Sequence, residues 1–188
     1  MSNGTLNVVA RNYTNPASRT TSNGRFYCNI TNIMYGSFRA GFSVGSVPGA
    51  VASIFFYAND TQEIDVEILT RQPQNMIYYS NQPSTTNAIS FKEGNWTTMQ
   101  EHGFDWFPGV TSFYRQGVNV INYTKNVPVI GGRLTINMWS NGNPNFSGGP
   151  PNQDAVMKVS WVKMFFNTTT KASPCVPQSA DSICVPTD

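Results

Sequence analysis

The sequence predicts an all-β sandwich of two antiparallel sheets. Helical periodicity is nearly absent along the 188 residues. Short runs rich in Val, Ile, Phe, Tyr and Thr recur at even spacing, the pattern of a sandwich or barrel. Clusters of Gly, Pro, Asn and Ser separate these runs. The length suits one domain with a sizeable core.

The expected strands are Leu6–Arg11, Tyr35–Val44, Val51–Tyr57, Glu63–Leu69, Asn75–Ser80, Gly103–Phe107, Thr111–Tyr114, Val118–Tyr123, Arg133–Met138 and Val156–Phe166. Each is bounded by turn chemistry: "SVPG" at Ser46–Gly49, "QPS" at Gln82–Ser84, "FPG" at Phe107–Gly109 and "GGPP" at Gly148–Pro151. No internal repeat is visible. After Asn167 the apolar pattern stops, so residues 1–167 read as the domain and 168–188 as a tail laid over it.

Composition narrows the function classes. Only 12% of residues are charged and 13% are aromatic, the opposite of a disordered chain. The formal charge is +2, and the twelve Lys and Arg form no basic block, which argues against nucleic acid. No apolar run is long enough for a membrane span. The start "MSNGTLN" reads as a trimmed mature end or an added Met. Eight N-x-S/T acceptor sites, at Asn3, Asn12, Asn29, Asn59, Asn95, Asn122, Asn145 and Asn167, point to a secreted glycoprotein, with cell-wall association open. Cys175 and Cys184 lie nine apart in the tail and read as a small disulfide; Cys28 is left over as a buried thiol.

The most informative segment is "EIDVEIL" at Glu63–Leu69. The chain has ten acidic residues, and three of them, Glu63, Asp65 and Glu67, fall within five positions. Strand side chains alternate, so all three point one way while Ile64, Val66 and Ile68 point the other. The apolar trio pins the register, since a slip of one residue would bury the acids. A solvated outer strand and a metal site are the competing readings. Outer strands ordinarily mix signs, and calcium favours more ligands on a loop. Glycoside hydrolysis needs two carboxyls, about 5–5.5 Å apart for retention, one ionised and one protonated. Residues i and i+4 on a strand are about 13 Å apart at Cα. Two long Glu side chains leaning inward can close much of that gap. Crowding the three carboxyls pushes their pKa values apart.

The motif E-x-D-x-E resembles that of glycoside hydrolase family 16, the jelly-roll β-glucanases that include lichenases. Further matches follow in order: "YGSFRAGF" at Tyr35–Phe42, "YYSN" at Tyr78–Asn81, "GFDWFPGVTSFY" at Gly103–Tyr114, "NMWSNG" at Asn137–Gly142 and "VSWVKMFF" at Val159–Phe166. The segment "GGPPNQDA" and the cysteine pair resemble the fungal branch. The resemblance implies a concanavalin A-like β-jelly roll with a concave substrate cleft. It implies Glu63 as nucleophile, Asp65 as its helper and Glu67 as acid/base. It sets Trp139, Tyr78, Tyr79, Tyr57 and Asn81 as substrate-binding candidates. Aromatic faces would stack on sugar C–H faces and amides would bond sugar hydroxyls. The sequence also departs from the pattern: Ile77 precedes "YY" where Asn is common, Gln116–Gly117 replaces Asp-Gly, and His102 stands at an aromatic position. Ser160 replaces an Asp that helps bind structural calcium, so no metal is expected; nor is a cofactor. The chain begins near the family's second strand.

The function so implied is a monomeric retaining endo-β-glucanase acting on β-1,3-1,4- or β-1,3-linked glucan polysaccharide. A cell-wall glucan/chitin transglycosylase would use the same residues. A lectin-like binding module would share the sandwich but has no use for two Glu flanking an Asp.

Overall fold

A computed structural model of the protein describes residues 4–12 and 22–170. Among them are twelve β-strands and no helix. In chain order they are β1 (Leu6–Ala10), β2 (Gly24–Tyr27), β3 (Ile33–Val44), β4 (Val51–Asn59), β5 (Gln62–Leu69), β6 (Met76–Asn81), β7 (Thr85–Ser90), β8 (Gln100–Phe107), β9 (Val110–Arg115), β10 (Val118–Tyr123), β11 (Arg133–Trp139) and β12 (Ala155–Thr168). Among the described residues no helix is long and apolar enough to cross a membrane.

The strands form two antiparallel six-stranded sheets. One runs β1-β12-β3-β8-β9-β10, the other β2-β11-β4-β5-β6-β7. The strand sequences alternate, so each sheet turns one apolar face inward and the faces stack as a sandwich. Phe56 of β4 meets Trp106 of β8 with ring centres 4.3 Å apart, and Tyr79 of β6 meets Phe113 of β9 at 5.2 Å. These pairs join the sheets across the core. Ile54, Ile64, Val66, Ile68, Ile136 and Met138 complete the inner face of the second sheet, all buried. Each such side chain contributes about 1.5–3 kcal/mol by leaving water.

The ten expected strands are present with ends shifted by a few residues, and β2 and β7 are additional. Trp106 is in the core, its indole donating to the Pro128 carbonyl at 2.9 Å. His102 is also fully buried, stacked 4.7 Å from Phe42. Gln116 (φ 51°) and Gly117 (φ 73°) both take left-handed backbone between β9 and β10, the geometry of a two-residue hairpin turn. Cys175 and Cys184 lie outside the described residues. Cys28 is a free, half-buried thiol.

Candidate active site

The acidic strand β5 is central in the second sheet, with β4 on one side and β6 on the other. Ile64, Val66 and Ile68 are fully buried in the core, which turns Glu63, Asp65 and Glu67 to the outer face. Residues directly opposite in neighbouring strands share a face. The register therefore lays out three rows. Tyr27, Thr135, Phe55, Asp65 and Ser80 form the middle row; Arg25, Asn137, Ser53, Glu67 and Tyr78 lie on one side of it. Arg133, Tyr57 and Glu63 lie on the other.

Hydrogen bonds tie the acids together. Glu63 donates a carboxyl proton to Asp65, and the Gln82 amide donates to Asp65 Oδ2 at 3.0 Å. The Ser53 hydroxyl donates to Glu67. Trp139 Nε1 approaches Ser53 Oγ at 3.4 Å, so the indole, the serine and Glu67 form a chain. Asn137 adds a buried side-chain carbonyl oxygen with no partner among the described residues.

Burial raises all three carboxyl pKa values. Glu63 is pushed up to about 8, by desolvation first and then by the charge of Asp65. Asp65 and Glu67 are each pushed up to about 7 by desolvation, with Glu67 adding repulsion on Asp65 and Glu63 adding it on Glu67. The bond from Gln82 opposes the shift at Asp65, as that from Ser53 does at Glu67. Three like charges therefore do not coexist on β5 near neutral pH. The strand holds ionised and protonated carboxyls side by side, the combination acid and nucleophilic chemistry requires.

Beside Glu63 the face sinks into a hollow of about 510 Å³, lined by Arg25, Tyr27, Phe55, Tyr57, Arg133 and Thr135 among others. Gly132 lets this wall form. A Cβ there would lie 2.3 Å from the Tyr57 carbonyl oxygen, so only glycine permits so close an approach.

The expected substrate-binding residues divide. Tyr78 is half-buried on the face of the acids, opposite Glu67. Trp139 is on that face too, stacked 5.8 Å from Phe146, and Tyr57 stands opposite Glu63. Tyr79 and Asn81 require correction. Both are 0% exposed and turned into the sandwich. Tyr79 packs on Phe113, and Asn81 donates to Thr111 Oγ1 and the Lys125 carbonyl. Alternation along β6 is the cause: Tyr78 and Ser80 take the outer face, so their neighbours take the inner one. Ser53, Gln82, Arg25 and Arg133 escaped the sequence reading. They carry no local motif, and Gln82 sits in a segment that reads as a turn; Asn137, which opens the matched segment "NMWSNG", was visible there without a role.

Comparison with known proteins follows the same lines. The family model "Glycosyl hydrolases family 16" matches residues 2–163. A β-glucanase of Paenibacillus polymyxa is 29% identical over 135 residues, covering 68% of this chain and 56% of the relative. The chain thus spans little more than half that relative's length. Among solved structures, a β-1,3-1,4-glucanase (lichenase) derived from a mouse hindgut metagenome superposes with TM-score 0.74 at 18% identity, over 87% of this chain and 80% of the other. The Crh5 transglycosylase superposes with TM-score 0.69 at 16% identity, over 88% and 73%. At these identities the likeness establishes the jelly-roll fold. Nothing in the comparisons sets the chain in a fungal branch, so that finer resemblance is withdrawn.

Proposed function

The chain belongs to glycosyl hydrolase family 16, and from that premise we propose that it is a retaining endo-β-glucanase acting on β-1,3-1,4- or β-1,3-linked glucan. The observation that carries this reading is the cluster Glu63, Asp65 and Glu67: three mutually hydrogen-bonded or repelling carboxyls on one face of a central strand.

In the free site Glu63 holds the proton it shares with Asp65. In the proposed reaction that proton passes along the hydrogen bond to Asp65 as substrate binds, which leaves Glu63 ionised. Glu63 attacks the anomeric carbon while Glu67 protonates the departing glycosidic oxygen. A covalent glycosyl-enzyme forms. Glu67, now ionised, takes a proton from water; the resulting hydroxide displaces Glu63 and restores the starting state. Trp139 and Tyr78 offer flat apolar faces to the sugar rings beside Glu67, and Tyr57 does so beside Glu63. The buried Asn137 carbonyl oxygen would accept from a sugar hydroxyl.

The likeness to a transglycosylase fold favours a second reading, in which an acceptor sugar replaces water. Residues 1–167 would form the catalytic domain and 168–188 a tail stapled by Cys175 and Cys184. The acceptor sites and that pair fit a secreted protein; that it acts as a monomer is part of the proposal. Incubation with barley β-glucan, laminarin and chitin oligosaccharides, with and without added acceptor, followed by sizing of products, tests the proposal. Shortened β-glucan products support hydrolysis; lengthened ones with acceptor support transfer. If every substrate stays intact, the enzyme reading fails.

A further inference from the structure

The wall of the hollow farthest from the acids carries two arginines. Arg25 comes from β2 and Arg133 from β11, adjacent strands of the second sheet. Their guanidinium carbons lie 5.7 Å and 5.1 Å from the ring centre of Tyr27, which is 46% exposed. Both line the same space as Glu63.

Elsewhere the other described arginines donate to named acceptors: Arg71 to the Asn145 and Phe146 carbonyls, and Arg115 to Gln100 Oε1 and the Glu93 carbonyl. Arg11 pairs with Asp154, and Arg39 with Glu101 and Asp105. Among the described residues, neither Arg25 nor Arg133 has an acid within ion-pair distance. Nor are they counter-charges for the trio, whose acids are shifted by burial, by one another and by Asp60. Asp60 itself is held at the rim by the Tyr57 hydroxyl at 2.8 Å. The hollow thus presents two guanidinium groups around an aromatic face, with no counter-charge within ion-pair distance among the described residues.

We propose that this hollow is a subsite for an acidic sugar unit, one carrying a carboxylate or a sulfate ester, clasped by Arg25 and Arg133 with its ring on Tyr27. The inference rests on the glycoside-hydrolase reading of the trio next to it. A neutral glucose unit offers hydroxyl acceptors but no negative charge to two guanidinium groups. A planar carboxylate or a sulfate accepts paired N–H donors from such forks, in bonds about twice as strong as neutral ones. The Tyr27 ring supplies the apolar platform that a pyranose needs. The residues therefore select the charge of the sugar unit bound beside Glu63.

The test uses the full chain and three forms of one β-glucan oligosaccharide: neutral, oxidised at C6 to uronate, and O-sulfated. Both kcat/KM and calorimetric binding are measured at low and high salt. At least one charged form is expected to bind more tightly than the neutral one, with the advantage shrinking as salt screens it. Arg25→Gln and Arg133→Gln should each lower the charged-to-neutral ratio about tenfold, mainly through KM. Melting curves establish that the variants fold; Arg25→Lys, which keeps the charge without the fork, should give an intermediate ratio. Preference for uronate alone or sulfate alone supports the proposal and names the group. The proposal is overturned if neither charged form outbinds the neutral one, or if the preference survives both Gln substitutions. Calorimetry needs no turnover. Arginine-dependent binding without any cleavage would leave this subsite standing and remove the hydrolase reading.

Discussion

Gln82 donates its side-chain amide to Asp65 Oδ2 at 3.0 Å, from the end of β6 to the middle of β5. Asp65 is 4% exposed, so this bond is one of few that can hold its charge. Gln82 lowers the Asp65 pKa against the rise that burial imposes.

Gln82→Leu should therefore raise the Asp65 pKa and loosen its orientation toward Glu63. The shared proton would be retained to higher pH, moving the basic limb of the kcat/KM profile upward. A lost charge-assisted bond of about 1.5 kcal/mol predicts roughly a tenfold fall at the optimum. The pH–rate profile of the variant checks this; an unmoved profile would deny Gln82 a positioning role.

Glu67→Gln should lower turnover by about 10²–10⁴-fold, the range for loss of an acid–base group, and Glu63→Gln, which removes the nucleophile, should lower it at least as far. The same changes should not unfold the chain. For Glu67 the folded pKa is about 7, above the 4.5 of a free glutamate carboxyl. Between those values the folded chain keeps a proton that the unfolded chain has released. Stability from this group is complete below about pH 4.5 and is lost as pH rises through 7. Glu67→Gln should thus stabilise the protein by on the order of 1–2 kcal/mol at pH 8 and hardly at all at pH 4. Denaturant midpoints at the two values decide it; a destabilised Gln variant at pH 8 would contradict the burial argument.

His102 works in the opposite sense. It is fully buried against Phe42, and neither ring nitrogen has a partner among the described residues. Burial lowers its pKa from 6.5 to about 3. The unfolded chain binds a proton that the folded chain refuses. Stability is present above pH 6.5 and is lost as pH falls toward 3. His102→Leu should remove that slope, gaining about 1–2 kcal/mol at pH 5 relative to its effect at pH 8. Thermal melts across this range would show equal slopes if His102 were charged or solvated in the folded state.

The stereochemistry of the first product tests the roles given to the two glutamates. Glu63 and Glu67 share one strand, so the backbone fixes their spacing. Inversion needs about 6.5–9.5 Å between carboxyls to admit a water, whereas converging Glu side chains suit the shorter gap of retention. Proton NMR before mutarotation should detect the β-anomer first. An initial α-anomer would rule out double displacement and the nucleophile role of Glu63.

Local pattern carried the centre of this fold. "EIDVEIL" alternates acid and aliphatic residues, and burial of Ile64, Val66 and Ile68 dictates where Glu63, Asp65 and Glu67 point, whatever their neighbours are. Strands with a core-facing apolar stripe were legible for the same reason. The outermost strands of the second sheet were not. In β7, "TTNAIS" has mostly exposed side chains, and β2 has four residues; such edges bury too little to leave an apolar signature. The phase of β6 was also hidden. "IYYSN" fits either face until Tyr79 finds Phe113 across the core, which sends Tyr78 outward and Asn81 inward. Ser53, Asn137, Arg25 and Arg133 come from β2, β4 and β11, and only strand pairing brings them beside β5 or the hollow. A sequence specifies which side of its own strand a residue takes. Which residues stand opposite is set by sheet order and register, and these emerge only when the two apolar faces pack together.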